Sequence, residues 1–244
     1  MMNYGLSATN NGGSVVISSE YKTLVFSERG TFRITSRYID GEGYGSVTFA
    51  KPILTQEPPQ IFTCCTGASH SALAIYTRVL GGPGYWTGFN VTSASNGVRP
   101  VQNFYMEYVS CKFSDSRSVD EFGLEIYDGS EGVVYTSSDR VVRYSKFTKD
   151  WDWRPPLGYG VVGVFHSRVA VDPDDFICIS SIDRGNAWFC GRVHYAGLRI
   201  VDGGLQSVKI LINRSKTYEY LTQFSGPSFS IPVCKFPIER YYNS

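Results

Sequence analysis

Two short aromatic segments hold the residues of this 244-residue chain whose types and spacing suit binding. The first has two tryptophans two positions apart, then an arginine, a Pro-Pro step and a tyrosine; the second is a Tyr-Trp pair after a glycine-rich run. Trp, Tyr and Arg are enriched at the energetic centres of interfaces, and paired indoles also suit stacking on a sugar ring. The candidate protein- or glycan-contact residues are Trp151, Trp153, Arg154, Tyr159, Tyr85 and Trp86. The competing interpretation is that the tryptophans plug the open end of a β-sandwich core.

No segment has the residue spacing of a catalytic centre. Ser69 lies beside His70, but a nucleophile elbow needs Gly-x-Ser-x-Gly, and position 71 is a serine. The glycine-rich run 81–84 lacks the Gly-Lys-Ser/Thr ending of a phosphate-binding loop. We therefore expect no enzymatic activity and no cofactor.

Metal-ligating patterns are also weak. The cysteines are Cys64, Cys65, Cys111, Cys178, Cys190 and Cys234. They include no Cys-x-x-Cys pair, so we interpret them as free thiols that pack as small apolar residues in a reducing cytosol. Asp172, Asp174 and Asp175 flank Pro173, and calcium would suit such a turn, but the usual loop template and its distal Glu are missing. The sequence thus predicts no metal site and solvated turn acids.

Charge and composition narrow the class of protein. Lys plus Arg number 23 and Asp plus Glu number 22, so the net charge is +1, without the basic excess of a nucleic-acid-binding protein. The start shows no basic and apolar leader, and no apolar run reaches about 20 residues, so we expect neither secretion nor membrane insertion. Aromatic residues make up 15% of the chain, which a disordered protein would lack.

The hydrophobic pattern predicts short β-strands along the whole chain. Alternating or β-branched runs such as 31–35, 104–109 and 208–212 are separated by Asp-Gly and Asn-Gly pairs, which supply the positive φ of tight turns. No helical stripe is longer than two turns. Many short strands separated by such turns predict an all-β sandwich or barrel.

An internal repeat is the most informative feature of the sequence. Residues 4–27 align with residues 122–145 without a gap, at an offset of 118 positions (122 minus 4). The identical pairs are Gly5/Gly123, Leu6/Leu124, Val15/Val133, Val16/Val134, Ser19/Ser137 and Ser27/Ser145. Both copies read as aromatic-Gly-Leu, strand, Asn/Asp turn, strand and a third short strand. We therefore predict two tandem β-sandwich-like domains related by internal duplication, 1–119 and 120–244; the alternative is one large β-sandwich.

A family resemblance rests on this repeated opening. Tyr4-Gly5-Leu6, an Asn/Gly turn and Val15-Val16-Ile17 resemble the N-terminus of small tail-associated virion proteins of tailed bacteriophages, and Phe122-Gly123-Leu124 through Val133-Val134 is similar. The resemblance implies a structural subunit of the virion, in the tail or tail tip. Such a subunit assembles in the host cytoplasm and has no catalytic activity. Its partners would be other tail proteins and copies of itself, because tails are symmetric. The alternative is a receptor- or glycan-binding module for host attachment, with the aromatic segments as its platform.

Overall fold

The described residues form mostly β-strands and no α-helix, which confirms the all-β prediction. The structure, a computed structural model, describes residues 7–9, 15–18, 21–36, 42–64, 74–94, 103–117, 122–154, 161–181, 194–201, 204–211 and 230–243. In these ranges the strands are joined by turns and irregular segments, and the one helical segment is a short 3-10 turn, Ile179–Ser181. Strands dominate because β-branched and aromatic side chains alternate with polar ones, which suits a pleated surface buried on one face.

The strands carry labels in chain order. They are β1 (Ser7–Thr9), β2 (Val15–Ser18), β3 (Leu24–Ser36), β4 (Glu42–Ile53), β5 (Gln60–Cys64), β6 (Ala74–Gly82), β7 (Tyr85–Ala94), β8 (Phe104–Phe113), β9 (Glu125–Tyr127), β10 (Val133–Thr136), β11 (Tyr144–Thr148), β12 (Trp151–Arg154), β13 (Val161–Ala170), β14 (Phe176–Cys178), β15 (His194–Val201), β16 (Gly204–Leu211) and β17 (Ile231–Cys234).

One large antiparallel sheet contains thirteen of the described strands. Its order is β11-β17-β14-β5-β8-β3-β4-β7-β6-β15-β16-β13-β12. The two end strands, β11 and β12, follow each other in the chain with only Lys149 and Asp150 between them. The Arg168 N–H also donates to the Asp150 carbonyl, at 3.3 Å. The sheet must therefore curl until its first and last strands are neighbours.

The long strand β3 is the corner at which the sheet changes layer. It pairs with β8 from Leu24 to Ile34, but with β4 only at Thr35 and Ser36. Beyond that corner β4 pairs with β7, so β3 and β4 diverge into two facing layers. Rings from the two layers meet: Phe89 of β7 lies 5.5 Å from Phe32 of β3 and 5.2 Å from Tyr108 of β8, between ring centroids.

The apolar interior has two parts. The first core lies where β3, β4, β7 and β8 face each other, and Ile34 and Phe89 within it are wholly buried. The second core gathers residues of β5, β14 and β17 with the C-terminal Phe236 and Tyr241. Phe236 contacts Phe62, Phe176 and Tyr241 at centroid distances of 5.0–5.3 Å. The segment after β17 therefore completes the core, which aromatic pairs stabilise beyond their buried area.

The described cysteines line the second core. The thiols of Cys64, Cys111 and Cys234 form no disulfide, and Cys178 is buried in the same cluster. Burial raises the pKa of Cys64 to about 11 and that of Cys111 well above its ordinary value. This confirms the prediction of small apolar packing residues for Cys64, Cys111 and Cys234, while Cys65 and Cys190 lie outside the described residues.

The predicted halves 1–119 and 120–244 share the large sheet. Strands β5, β8, β3, β4, β7 and β6 form its middle, and described strands of the second half flank them on both sides. Ile177 of β14 pairs with Thr63 of β5, and Leu198 of β15 pairs with Ile75 of β6. This pairing fits the alternative of one large sandwich better than it fits two separate tandem domains. The domain boundary and the duplication remain predictions.

The repeated sequence forms a small antiparallel hairpin at both places. In β1–β2, Ser7 pairs with Ser18 and Ala8 with Ile17. In β9–β10, the residues 118 positions later pair in the same way, Glu125 with Thr136 and Ile126 with Tyr135. In each hairpin the register then shifts past one residue, position 16 in the first and position 134 in the second. The two repeated sequence segments therefore form hairpins with the same pairing register.

Candidate interaction site

The Trp151–Arg154 segment is strand β12, the last strand of the large sheet. Its backbone pairs with β13, with Trp151 opposite Ser167 and Trp153 opposite Phe165. The Trp151 side chain is half-buried and packs against the second core. Trp151 therefore covers the core, as the competing interpretation proposed, while still leaving part of its ring at the surface.

An ion pair holds β12 to its neighbour. Arg168 on β13 donates two hydrogen bonds to the carboxylate of Asp152, from Nε and Nη2, both 2.9 Å long. This fork geometry matches the planar guanidinium to both carboxylate oxygens. Both side chains are partly exposed to solvent, so this surface pair adds little stability and mainly fixes the position of the strand.

Tyr85 and Trp86 begin β7 at the tight turn after β6, and the structure gives them different surroundings. The Trp86 indole N–H donates to the Thr55 carbonyl at 2.9 Å, and its ring packs against the first core. The Tyr85 side chain is 59% exposed. Gly81 has a φ of +101°, where an L side chain would be strained and a Cβ would collide with the Tyr85 carbonyl. Of this pair, Tyr85 is therefore the ring that is exposed at the surface.

The two aromatic segments do not form one platform. Strands β6, β15, β16 and β13 lie between β7 and β12 in the sheet. Five strand spacings of about 4.8 Å correspond to roughly 24 Å across the sheet surface. Arg154 ends β12 opposite Val164, and Tyr159 lies outside the described residues. Among the described candidate residues, Trp151 and Trp86 are therefore both partly buried and lie in separate parts of the sheet.

An exposed apolar motif that the sequence did not single out as a site lies beside the second hairpin. Phe122 is 89% exposed and Leu124 is 52% exposed, although both are large apolar side chains. They belong to the aromatic-Gly-Leu triplet that opens the second copy of the repeat. The signal was present as a repeated motif, but sequence alone did not tell whether these side chains face the core or solvent.

Ser137 holds this triplet in place. Its hydroxyl accepts a hydrogen bond from the Leu124 N–H at 3.0 Å, and its own N–H donates to the Leu124 carbonyl at 2.8 Å. A Cβ on Gly123 would collide with the Ser137 hydroxyl. Gly, Leu and Ser are also the residues that the two copies of the repeat share at these positions. We name Phe122, Gly123, Leu124 and Ser137 the hairpin clamp.

The loop of the second hairpin is closed by Asp128. Its Oδ1 accepts from the N–H groups of Gly132 and Ser130, both at 2.8 Å. These bonds to Gly132 and Ser130 lower the pKa of Asp128. The loop runs from 128 to 132, longer than a two-residue Asp-Gly turn, and two backbone bonds also close it: the Asp128 N–H donates to the Gly132 carbonyl and the Glu131 N–H to the Asp128 carbonyl.

A cleft of about 550 Å³ opens where β3 and β4 diverge, with Leu54 and Lys51 on its walls. Glu28 spans it: Oε1 accepts from the Tyr108 hydroxyl at 2.7 Å, and Oε2 accepts from the Ala50 N–H at 2.9 Å. Burial, and then the bond to Glu28, raise the pKa of Tyr108 well above its ordinary value. Tyr108 and Glu28 therefore lock each other as a structural brace between the layers.

The acidic turn between β13 and β14 differs from the sequence expectation. Asp172 and Asp174 are exposed, as solvated turn residues should be, but Asp175 is buried. Lys146 and Lys235 pair with these acids. The prediction of solvated acids is wrong for Asp175, because its side chain points into the protein to bond Lys146 and the Asp172 N–H.

Comparison with known proteins gives no relative: no family model, curated protein or solved structure matches this chain. In the described part of the chain, no helix has the length and apolar character needed to cross a membrane.

Proposed function

We propose that this protein is a structural subunit of a tailed-phage virion, in the tail or tail tip, and that it contacts neighbouring subunits through the hairpin clamp. The observation that carries the proposal is the exposure of Phe122 and Leu124 within the motif that resembles tail-associated proteins. A rigid backbone clamp that presents apolar side chains to solvent suits an interface, since exposed apolar groups gain free energy when a partner covers them.

The size of that gain is enough to matter. Full burial of a large apolar side chain contributes about 1.5–3 kcal/mol, so Phe122 and Leu124 together offer several kcal/mol to an interface. The clamp fixes their backbone through Ser137, which lowers the ordering cost of association. In a symmetric tail this contact repeats at every copy of the subunit, so a modest energy per contact still stabilises the whole assembly.

The proposal is tested on density-purified particles by quantitative peptide mass spectrometry. We expect the wild-type chain at a fixed, small stoichiometry that survives high-salt washing, because apolar contacts resist salt. The variant F122S/L124S should be lost from particles while keeping its melting temperature, since both side chains are exposed. The matched control is Ile238→Ser, which changes a side chain 63% exposed elsewhere and should leave incorporation intact.

Two outcomes would contradict the proposal. Absence of the wild-type chain from washed particles would overturn the structural role itself. Wild-type incorporation of F122S/L124S would leave that role standing and remove the hairpin clamp as its contact.

Glycan or receptor binding during host attachment is a second candidate function. Its supporting observation is Tyr85, a ring 59% exposed beside a tryptophan fixed by a hydrogen bond to Thr55. Such a ring can stack on a sugar. Tyr85→Ala should then abolish binding to host cells while the subunit stays in particles, and a glycan array with purified protein would show the same loss. Undiminished cell binding by Tyr85→Ala would remove this ring as the platform.

A further inference from the structure

Three carboxylates converge at the turn between β13 and β14. Oxygen atoms of Asp172, Asp174 and Asp175, one from each, lie within 4.8 Å of one another. The turn is closed by the Asp175 N–H, which donates to the Asp172 carbonyl at 3.0 Å, and the Cys64 thiol donates to the Pro173 carbonyl at 3.1 Å. The acids are thus held on a fixed backbone at the turn that connects β13 to β14.

Lys146 of β11 is a fully bonded member of this cluster. Its ammonium donates to Asp175 Oδ2 at 2.7 Å, to Asp172 Oδ2 at 2.8 Å and to the Ala170 carbonyl at 3.1 Å. All three of its N–H groups have acceptors, so Lys146 is a permanent structural cation here.

Lys235, just after β17, is bound much less completely. Its ammonium lies 2.6 Å from Asp174 Oδ1, but 3.6 Å from Asp172 Oδ2 and 3.8 Å from Asp175 Oδ1. The Asp175 side chain is wholly buried, and its Oδ1 has no hydrogen bond. A buried carboxylate oxygen without a hydrogen bond is costly, so this atom is one that a closer cation would satisfy.

The net charge of the cluster also favours an additional positive charge. Three carboxylates face two ammonium groups, which leaves one negative charge in the cluster. A divalent cation in place of the Lys235 ammonium would make the cluster neutral. Lys235 is 45% exposed, so its side chain can move into solvent when it is displaced.

We propose that Asp172, Asp174 and Asp175 bind a divalent cation in exchange for Lys235. Carboxylate oxygens are the ligands of hard cations, and Ca²⁺ accepts irregular sets of six to eight oxygens that Mg²⁺ does not. Water completes the coordination on the exposed side, where Asp172 and Asp174 lie. Because three carboxylates and a competing lysine make a weak site, we expect a Kd on the order of 1 mM. This inference is independent of the proposed function.

The test measures the melting temperature of the full chain with EDTA and with 10 mM CaCl₂. A site with that affinity should raise the ratio of folded to unfolded protein about tenfold, which corresponds to roughly 3–5 °C. Lys235→Met should be less stable in EDTA and should gain at least twice as much from Ca²⁺, because the competing ammonium is gone. Asp174→Asn, at a largely exposed position, should gain under about 1 °C.

Lys112→Met is the matched control. It removes another lysine–aspartate pair, Lys112–Asp115 at 2.5 Å, far from this turn in sequence, and should respond to Ca²⁺ as the wild type does. Calorimetric titration of Lys235→Met should give one Ca²⁺ per chain, with weaker binding of Mg²⁺.

Two results would overturn the inference. Equal Ca²⁺ responses in Asp174→Asn and Lys235→Met would mean non-specific binding. No recovery of Lys235→Met by Ca²⁺ would mean that the cluster is a salt-bridge network only.

Discussion

The two hairpins of the repeat share one register, but the strands that follow them differ. After β1–β2 the chain enters β3, which has thirteen residues and lies in the middle of the large sheet. After β9–β10 it enters β11, which has five residues and lies at the end of that sheet. The hairpin therefore depends on its local sequence, whereas the position of the following strand in the sheet depends on the strands with which it pairs.

The two copies also meet. Leu24 and Val142, which occupy equivalent positions in the repeat, are bonded to each other through the Val142 N–H and the Leu24 carbonyl, at 2.9 Å. Val25 forms an antiparallel bridge with Val141, and the Phe26 N–H donates to the Arg140 carbonyl. Of these three contacts, only the one between Leu24 and Val142 joins equivalent positions of the two copies.

The sequences after the repeat explain the divergence. In β3 the buried Phe32 and Ile34 alternate with exposed Thr31 and Arg33, so the strand continues with one face in the first core. In β11 the rings of Tyr144 and Phe147 are both 41% exposed, and the chain turns at Lys149-Asp150. In β11 buried and exposed side chains do not continue to alternate, so the strand has no further buried face that would favour a longer strand.

The greatest loss of stability is expected for a change in β3, and a much smaller loss for a change in β11. Ile34→Ala in β3 should lower the free energy of unfolding by about 2–5 kcal/mol, because it leaves a cavity at a wholly buried site. Phe147→Ala in β11 removes an exposed ring and should cost under about 1 kcal/mol. Urea unfolding followed by circular dichroism measures both, and similar losses would refute the contrast between the central and the end strand.

A second prediction concerns the aromatic segments. The double change W151A/W153A should lower the free energy of unfolding by about 2 kcal/mol or more, since Trp151 packs against the second core. Tyr85→Ala is the control, because its ring is exposed and should change stability little. Thermal unfolding of the wild type and both variants measures this difference in stability. Unchanged stability together with lost cell binding or lost incorporation into particles would instead make β12 a contact surface.

The hairpin clamp gives a smaller, paired prediction. Gly123→Ala should destabilise the second hairpin by about 1–2 kcal/mol, because the new methyl group meets the Ser137 hydroxyl. Ser137→Ala alone should cost about 1 kcal/mol through its lost hydrogen bond to Leu124. The double variant should cost less than the sum of the two, since the collision is removed. Strict additivity in a double-mutant cycle would mean that the clamp contact does not form.

The smallest effect is a difference in pH response between the hairpins. Position 10 in the first copy is Asn, which does not titrate, whereas its equivalent is Asp128. Bonds from Gly132 and Ser130 lower the pKa of Asp128. Its stabilising contribution is therefore present above the ordinary aspartate pKa of 3.8 and is lost as the pH falls through the lower folded-state pKa.

Amide NMR shifts measure this response. The Gly132 and Ser130 resonances should move in acid with a midpoint below 3.8, and Asp128→Asn should abolish the movement. A midpoint at or above that value would show that the two hydrogen bonds do not favour the carboxylate.

Much of the local structure could be predicted from the sequence. Alternation and turn residues predicted strands, and the repeat predicted two hairpins, because strand period and turn chemistry act over a few residues. The exposure of Phe122 could not be predicted, since an aromatic residue beside a strand is more often buried. Nor could the separation of Tyr85 from Trp151, because sheet order arises from pairings between residues far apart in the chain.

The all-β class, the two hairpins and the apolar role of the described cysteines follow from local sequence patterns. The three-dimensional fold was needed to show that strands from both halves share one sheet and that Trp151 covers a core. It alone brought Lys146 and Lys235 to the acids of the turn at 172–175. These features depend on strand pairing and packing between residues far apart in the chain. The stabilising free energy comes from those distant contacts, which a local sequence pattern does not specify.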